Sequence, residues 1–166
     1  MRTGVVGSGE NPDLCDRPAR PSDADGLSKI LTQLVVAGKR RKPCNPDYAL
    51  NHYIQHDHQV LCSVAISSSG EILGFQSLKA AWVGNPYEVH VGWGIIGTHV
   101  QPRSTRIGVG RALFRATLAA ARARGLEAID ATIGLGNAEG LQYYKAMGFQ
   151  PYRDLGDAVS KVFHIE

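Results

Sequence analysis

The sequence predicts an α/β protein built on one central, twisted, mixed β-sheet with helices on both faces. Three observations carry that prediction. Strand-like and helix-like patterns follow one another in the order β-α-α-β-β-β-α-β-α-β-β, with turn residues between them. The 166 residues are 43% hydrophobic and 20% charged, which suits one compact domain with an ordinary surface. A glycine-containing loop at 102–111 joins a strand to an arginine-rich amphipathic helix, as at the ligand-binding edge of many α/β sheets.

The elements follow in order. Residues 1–13 carry three glycines and little apolar content, so they read as a flexible leader. Leu14 to Arg20 has strand character, with Pro18 confining it to an edge or an end. Ser22, with Asp25 three positions on, reads as a capping box opening a helix. Its buried face is Leu27, Ile30, Leu31, Leu34 and Val35, and Gly38 closes it. Asn45-Pro46 starts a second helix, a capping side chain followed by proline, with Ala49, Leu50, Tyr53 and Ile54 facing inward. Val60–Ile66 and Glu71–Leu78 form a hairpin around Ser67–Gly70, and Tyr87–Val100 reads as a long, glycine-interrupted strand. After the glycine loop, Leu113, Phe114, Thr117, Leu118 and Ala121 line one helix face, with Arg115, Arg122 and Arg124 opposite. Ala128–Ile133 is a strand, Asn137–Met147 a short helix ended by Gly148, and Phe149–Arg153 and Val159–Ile165 the last two strands. Nothing marks a second domain, so residues 14–166 read as one.

Composition narrows the function. The net charge of +3 is too mild to argue for nucleic acid but suits a phosphorylated small ligand. Cys15, Cys44 and Cys62 are widely spaced, without the pairing of a metal site, which points to reduced thiols and a cytoplasmic location. No apolar run approaches the ~18 residues of a membrane span, and no metal is expected.

The loop Pro102-Arg103-Ser104-Thr105-Arg106-Ile107-Gly108-Val109-Gly110-Arg111 is the most informative segment. At a helix N-terminus several backbone N–H groups lack partners and the dipole favours an anion. Gly108 and Gly110 remove Cβ atoms that would hold a phosphate away. From Gln101 to Leu126 there are six arginines and no carboxylate. A phosphate-bearing cofactor fits this segment.

Two motifs carry a resemblance to a known family. Val100-Gln101-Pro102 is followed at fixed spacing by Gly108-Val109-Gly110, and Asn137, Tyr144 and Gly148-Phe149 follow later, Asn137 lying 27 residues after Gly110. In this order the chain, over about residues 15–165, resembles the GNAT superfamily of acyl-CoA-dependent N-acetyltransferases. Thr105 departs from the pattern, standing where the family usually has Gln or Arg; its hydroxyl or Arg106 would have to substitute.

The resemblance implies a mechanism and a site. Acetyl-CoA is the implied co-substrate, and an acetyl group passes directly to a primary amine of a small molecule or peptide. Val100, Thr105, Arg106, Ile107, Gly108, Val109, Gly110, Arg111 and Asn137 are the implied cofactor-binding positions. A donor N–H near Val100 would steady the thioester oxygen as it becomes negative. Tyr144 is the implied acid for the departing thiolate, with Tyr143 as the neighbour pointing elsewhere. Asn137 also has the ordinary reading of a helix cap. Arg103 and Arg111 are candidates for phosphate contacts.

The base is less defined. Family positions for a strand-borne Glu fall near Gly97 or Thr132, neither of which is basic. That leaves His99, the preferred candidate, with His90, Glu88 and Asp130. Tyr48, His52, Tyr53, His56, Trp82 and Trp93 are expected near the acceptor pocket. Family members often dimerise, so a homodimer is possible. Two other classes compete: a non-catalytic acyl-CoA-binding or sensor module, and a nucleotide- or nucleic-acid-binding domain using the same loop.

Overall fold

The protein is described by a computed structural model covering residues 13–105 and 107–166. The leader expected at 1–13 lies almost wholly outside these residues, as does Arg106.

A seven-stranded sheet runs in the order β1-β2-β3-β4-β5-β7-β6. Its strands are β1 (Leu14–Pro18), β2 (Gln59–Ser67), β3 (Ile72–Ala80), β4 (Gly94–Val100), β5 (Ala128–Gly134), β6 (Gln150–Asp154) and β7 (Ala158–His164). All neighbours are antiparallel except β4 and β5. Helices α1 (Ala24–Val36) and α2 (Pro46–Ala49, continued by a π-turn at Leu50–Ile54) cover one face. Helices α3 (Val109–Arg124) and α4 (Ala138–Met147) cover the other. The predicted mixed sheet with two helical faces is therefore present.

Two cores follow from strand alternation. Cys62, Val64 and Phe75 meet Leu27, Ile30, Leu31, Ala49 and Tyr53 on the α1/α2 face. Leu78, Ile96, Ile129 and Ile133 meet Phe114, Ala121 and Tyr144 on the α3/α4 face. The stripe predicted for α3 is the buried one, with Leu113, Phe114, Thr117 and Ala121 inside.

Four local expectations are corrected. The first strand stops at Pro18 rather than Arg20, and sits at the sheet edge where a missing N–H does no harm. The helix that follows is entered through a turn at Pro21–Asp23, so Asp23, not Ser22, takes the capping position. The Asp23 carboxylate accepts the Arg20 backbone N–H at 2.7 Å and pairs with the Arg17 guanidinium at 2.8 Å. That pairing holds its carboxyl below the ordinary range. Val35 is exposed instead of facing the core.

The fourth correction matters most. The long strand expected from Tyr87 begins only at Gly94. Asn85 gathers the preceding segment into a loop: its Nδ2 donates to Trp82 O and Val89 O, and its Oδ1 accepts from the backbone N–H groups of Tyr87 and Val89. One buried amide thereby takes over the backbone bonds that a strand would have offered to a neighbour.

Close packing at glycine positions α3 on the sheet. A Cβ on Gly74 of β3 would lie 2.7 Å from Val109 Cγ1 and 3.1 Å from the His99 carbonyl oxygen. Val109 opens α3, so this contact sets how deeply the helix start beds against β3 and β4. Gly74→Ala should therefore cost about 1–3 kcal/mol by overpacking, read as a lower urea midpoint at unchanged m-value.

Candidate active site

The parallel pair at the centre of the sheet is short. β4 and β5 match only at Gly94↔Ile129 and Ile95↔Asp130. Beyond that, β4 continues alongside β3 to Val100↔Gly74, and β5 alongside β7 to Gly134↔Ala158. The two strands part, and their facing edges lack sheet partners across the gap. A cavity of about 1290 Å³ passes along this gap, from the α3 N-terminus to the loop after α1.

At one end stands the glycine loop. Gln101 is buried and pins its start: Nε2 donates to Glu71 at 3.0 Å, and Oε1 accepts from Ser104 Oγ at 2.8 Å and Arg103 Nε at 3.2 Å. Gly108 is the N-cap of α3 with φ +92°, a left-handed conformation that side chains disfavour. It has no side chain to satisfy the helix's first N–H groups, and no acidic residue lies in the first turn. Those amides open on the cavity. Val100, Thr105, Ile107, Gly108, Val109, Gly110, Arg111 and Asn137, the residues singled out from the sequence, all line it. Val109's side chain, however, is buried against Gly74, and Thr105 Oγ1 makes a long 3.4 Å contact to Pro102 O. Arg103 ion-pairs with Glu71 at 3.0 Å, which diverts it from the phosphate role considered above. Asn137 is the cap of α4, accepting the Gly140 N–H at 2.9 Å.

At the gap, the two tyrosines of α4 separate in role. Tyr143 Oη donates to Gly110 O at 2.7 Å and accepts from Gln76 Nε2 at 3.0 Å. Tyr144 Oη shares a 2.7 Å hydrogen bond with Thr98 Oγ1. Gln76, fully buried on β3, also donates to Thr98 Oγ1 at 2.9 Å and accepts from Thr117 Oγ1 at 2.5 Å. Either hydroxyl can donate in the Thr98–Tyr144 bond; when Thr98 donates, the Tyr144 proton is left for another acceptor. Burial pushes the Tyr144 phenol up to about 12, against the opposing hydrogen bond from Thr98. It stays protonated at physiological pH. Sequence reading missed the roles of Gln76, Thr98 and Thr117; the available signal was an amide within the strand pattern of β3.

His99 and Tyr144 face opposite sides of the sheet. Thr98 meets Tyr144 on the α3/α4 face, and the next residue of a strand points the other way. His99 packs against Phe75 and Tyr53, with ring centroids 4.8 and 5.2 Å away. A Cβ on Gly97 would lie 3.7 Å from His99 Nε2, so the imidazole edge lies beside the glycine considered above as a position for a base. Burial, and then the nearby Arg40 and Lys42 cations, push His99 down to about 3. The ring is neutral and weakly basic.

On this second face the cavity is cationic. Lys39, Arg40, Arg41 and Lys42 line it together with Lys79, His52 and Tyr53. Lys79 is 4% exposed, and burial pushes its ammonium down to about 8. His52 is pushed to about 4, first by burial and then by Lys79. The carboxylates lining the cavity among the described residues are Asp130 and Glu139. Glu139 pairs with Lys39 across the cavity. Asp130, raised by burial, accepts from Thr132 Oγ1 and the Tyr152 hydroxyl and lies 3.5 Å from Arg153. Tyr48, His56, Trp82 and Trp93 do not line the cavity; Trp82 stacks on His58 and Trp93 packs near Tyr152. Among the described residues no cluster of His, Cys, Asp or Glu is arranged to hold a metal ion, and no helix is long and apolar enough to cross a membrane.

Residues 30–149 match the model of the acetyltransferase (GNAT) family. Solved structures with the same fold include a GCN5-related N-acetyltransferase from Kribbella flavida, at 19% identity and TM-score 0.73, covering 92% of this chain and 96% of that one. A Staphylococcus aureus N-acetyltransferase aligns at 17% identity and TM-score 0.76 over 92% and 99% of the two chains. A Salmonella typhimurium protein solved with its cofactor acetyl-CoA aligns at 18% identity and TM-score 0.73 over 93% and 95%. A comparison with curated proteins gives no match.

The buried network yields a test of its own. Thr117→Val would strip Gln76 Oε1 of its donor, while Thr117→Ser keeps the hydroxyl. The valine variant should lose about 1–3 kcal/mol in urea unfolding, and the serine variant much less of it.

Proposed function

The chain belongs to the acetyltransferase (GNAT) family, and on that premise we propose that it transfers an acetyl group from acetyl-CoA to a primary amine of a small molecule or peptide. The observation that carries this reading is the passage through the parted strands β4 and β5, with an uncapped helix start at one end and a protonated tyrosine midway. Those features fit the cofactor: unpartnered helix amides suit a diphosphate, and free strand edges suit an amide-bearing arm. When bound, acetyl-CoA supplies an acyl group activated as a thioester.

The chain's own groups divide the work. The amides of residues 108–111, with Arg111 beside them, hold the diphosphate. The free edge of β4 near Val100 orients the arm and offers an N–H to the thioester oxygen. Tyr144 Oη points its proton into the gap, where it donates to the departing sulphur. At about 12 it is a weaker acid than a free phenol or a thiol, so its contribution is a fixed hydrogen bond to the sulphur as the C–S bond breaks, and the proton that the amine sheds on becoming an amide balances the departing thiolate. Tyr143 has already committed its proton to Gly110 O. His99, neutral and beside Gly97, orients the incoming amine by accepting a hydrogen bond; it does not store the amine's proton.

A second reading, an acyl-CoA-binding module without turnover, draws on the carboxylates. Asp130 is engaged by three partners and Glu139 is paired with Lys39. Free thiol release from acetyl-CoA against a panel of amines separates the two readings. Calorimetric binding of acetyl-CoA without any thiol release would favour the module.

Two outcomes follow from the residue roles. Tyr144→Phe should lower kcat by about tenfold or more, with KM for acetyl-CoA within about twofold. Equal kcat would remove Tyr144 from the mechanism. Because His99 is already uncharged above about pH 3, rising pH between 6 and 8 cannot deprotonate it. The kcat/KM profile in that range should contain no step from His99 and keep its shape in His99→Ala.

A further inference from the structure

Lys79 is a buried cation with no anion beside it. Its ammonium lies 3.4 Å from His52 Nε2 and 5.3 Å over the Tyr53 ring, and no carboxylate pairs with it among the described residues. Arg40 approaches the same tyrosine from its hydroxyl end, at 3.4 Å, and is otherwise held by Pro43 O at 2.8 Å and the Tyr48 ring. It too lacks a carboxylate partner among the described residues. Two cations thus bracket one aromatic ring on the wall of the cavity. Burying an ammonium without a counter-charge is unfavourable, so such a group persists where a ligand completes it.

The diphosphate is not that ligand. Lys79 pairs with Ile95 on β4, five positions before Val100, which places it roughly 16 Å along the strand from the glycine loop at about 3.3 Å per residue. It also faces the α1/α2 side, opposite Tyr144 and Thr98. The same strand row continues from Ile95 to Asp130, so a buried carboxylate stands about 10 Å away on the far side of the gap. The row runs from positive at Lys79 to negative at Asp130.

We propose that the acceptor is a primary amine carrying its own carboxylate, bound with that carboxylate between Lys79 and Arg40 and its amine toward the gap between β4 and β5. The polarity of the row fixes this orientation, since the carboxylate is drawn to Lys79 and repelled by Asp130. His52 remains neutral there and adds a ring nitrogen to the same pocket. This inference rests on reading the cavity as an acetyl-acceptor site.

The experiment compares each of several α- and ω-amino acids with its own methylamide, following thiol release from acetyl-CoA. The acids should show kcat/KM at least tenfold above their methylamides. Lys79→Met should abolish that preference with KM for acetyl-CoA within twofold. Arg40→Gln, at a half-exposed position that folding tolerates, should reduce the preference at least threefold. Equal rates for acid and methylamide in the unaltered protein, or a preference that survives both variants, would overturn the proposal. A second measurement needs no turnover: CoA-loaded protein is titrated calorimetrically with N-acetyl amino acids and with their methylamides. Carboxylate-selective binding lost in Lys79→Met, without thiol release for any amine, keeps the anion subsite and removes the transfer reading. Turnover of acids and methylamides alike keeps the transfer and removes the subsite.

Discussion

The short parallel match between β4 and β5 governs the rest of the molecule. Two strands that stayed paired to their ends would satisfy each other's backbone groups and close the sheet. Here pairing stops after Ile95↔Asp130, while on their outer edges β4 stays with β3 over seven register pairs and β5 with β7 over seven. The α4 tyrosines sit behind the opening, where Thr98 and Gln76 give their hydroxyls partners. What remains is a slot through the sheet with polar backbone on both sides. That slot connects the two helical faces of the sheet.

Much of this arrangement is legible in the sequence. Helix starts and stops were the clearest, because capping is local chemistry: Asn45 and Asn137 cap through their own side chains, and Gly125 and Gly148 return N–H groups to the last carbonyls of their helices. Legibility failed where one side chain acts over distance. The segment 87–93 alternates like a strand, yet Asn85 captures its backbone, and no periodicity reports that. Gln76 reads as one of several polar residues in β3, and its partners lie 22, 41 and 67 positions away in the chain. Facing was also lost. The sequence put His99 and Tyr144 in one catalytic list, although the residue before His99 is the one that meets Tyr144.

Electrostatics distinguishes the two faces of the slot. On the α3/α4 side two phenols, Tyr143 and Tyr144, stand at the opening, and burial keeps their protons on. On the α1/α2 side, burial pushes down Lys79, His52 and His99, and the neighbouring cations push the two histidines down further. A cluster of this kind makes every imidazole in it a poor proton store, which is why the histidines there suit hydrogen bonding better than general base work. The same field favours the neutral form of an amine placed near it. The need for a dedicated carboxylate base is thereby smaller than the family comparison implies.

Gly110 shows how one position answers to both the fold and the site. From the sequence, its lack of a side chain is a matter of ligand approach. In the structure, a Cβ there would lie 2.5 Å from the Tyr143 ring, whose hydroxyl donates to the Gly110 carbonyl oxygen. The glycine therefore locks α4 to the start of α3. Because Tyr144 follows Tyr143 on the same helix turn, the tie at Gly110 also fixes where the Tyr144 hydroxyl sits relative to the amides of residues 108–111. The amides of residues 108–111 and the Tyr144 hydroxyl are thus held at a constant separation by one backbone contact, and losing that contact would free Tyr144 to drift relative to whatever the loop binds.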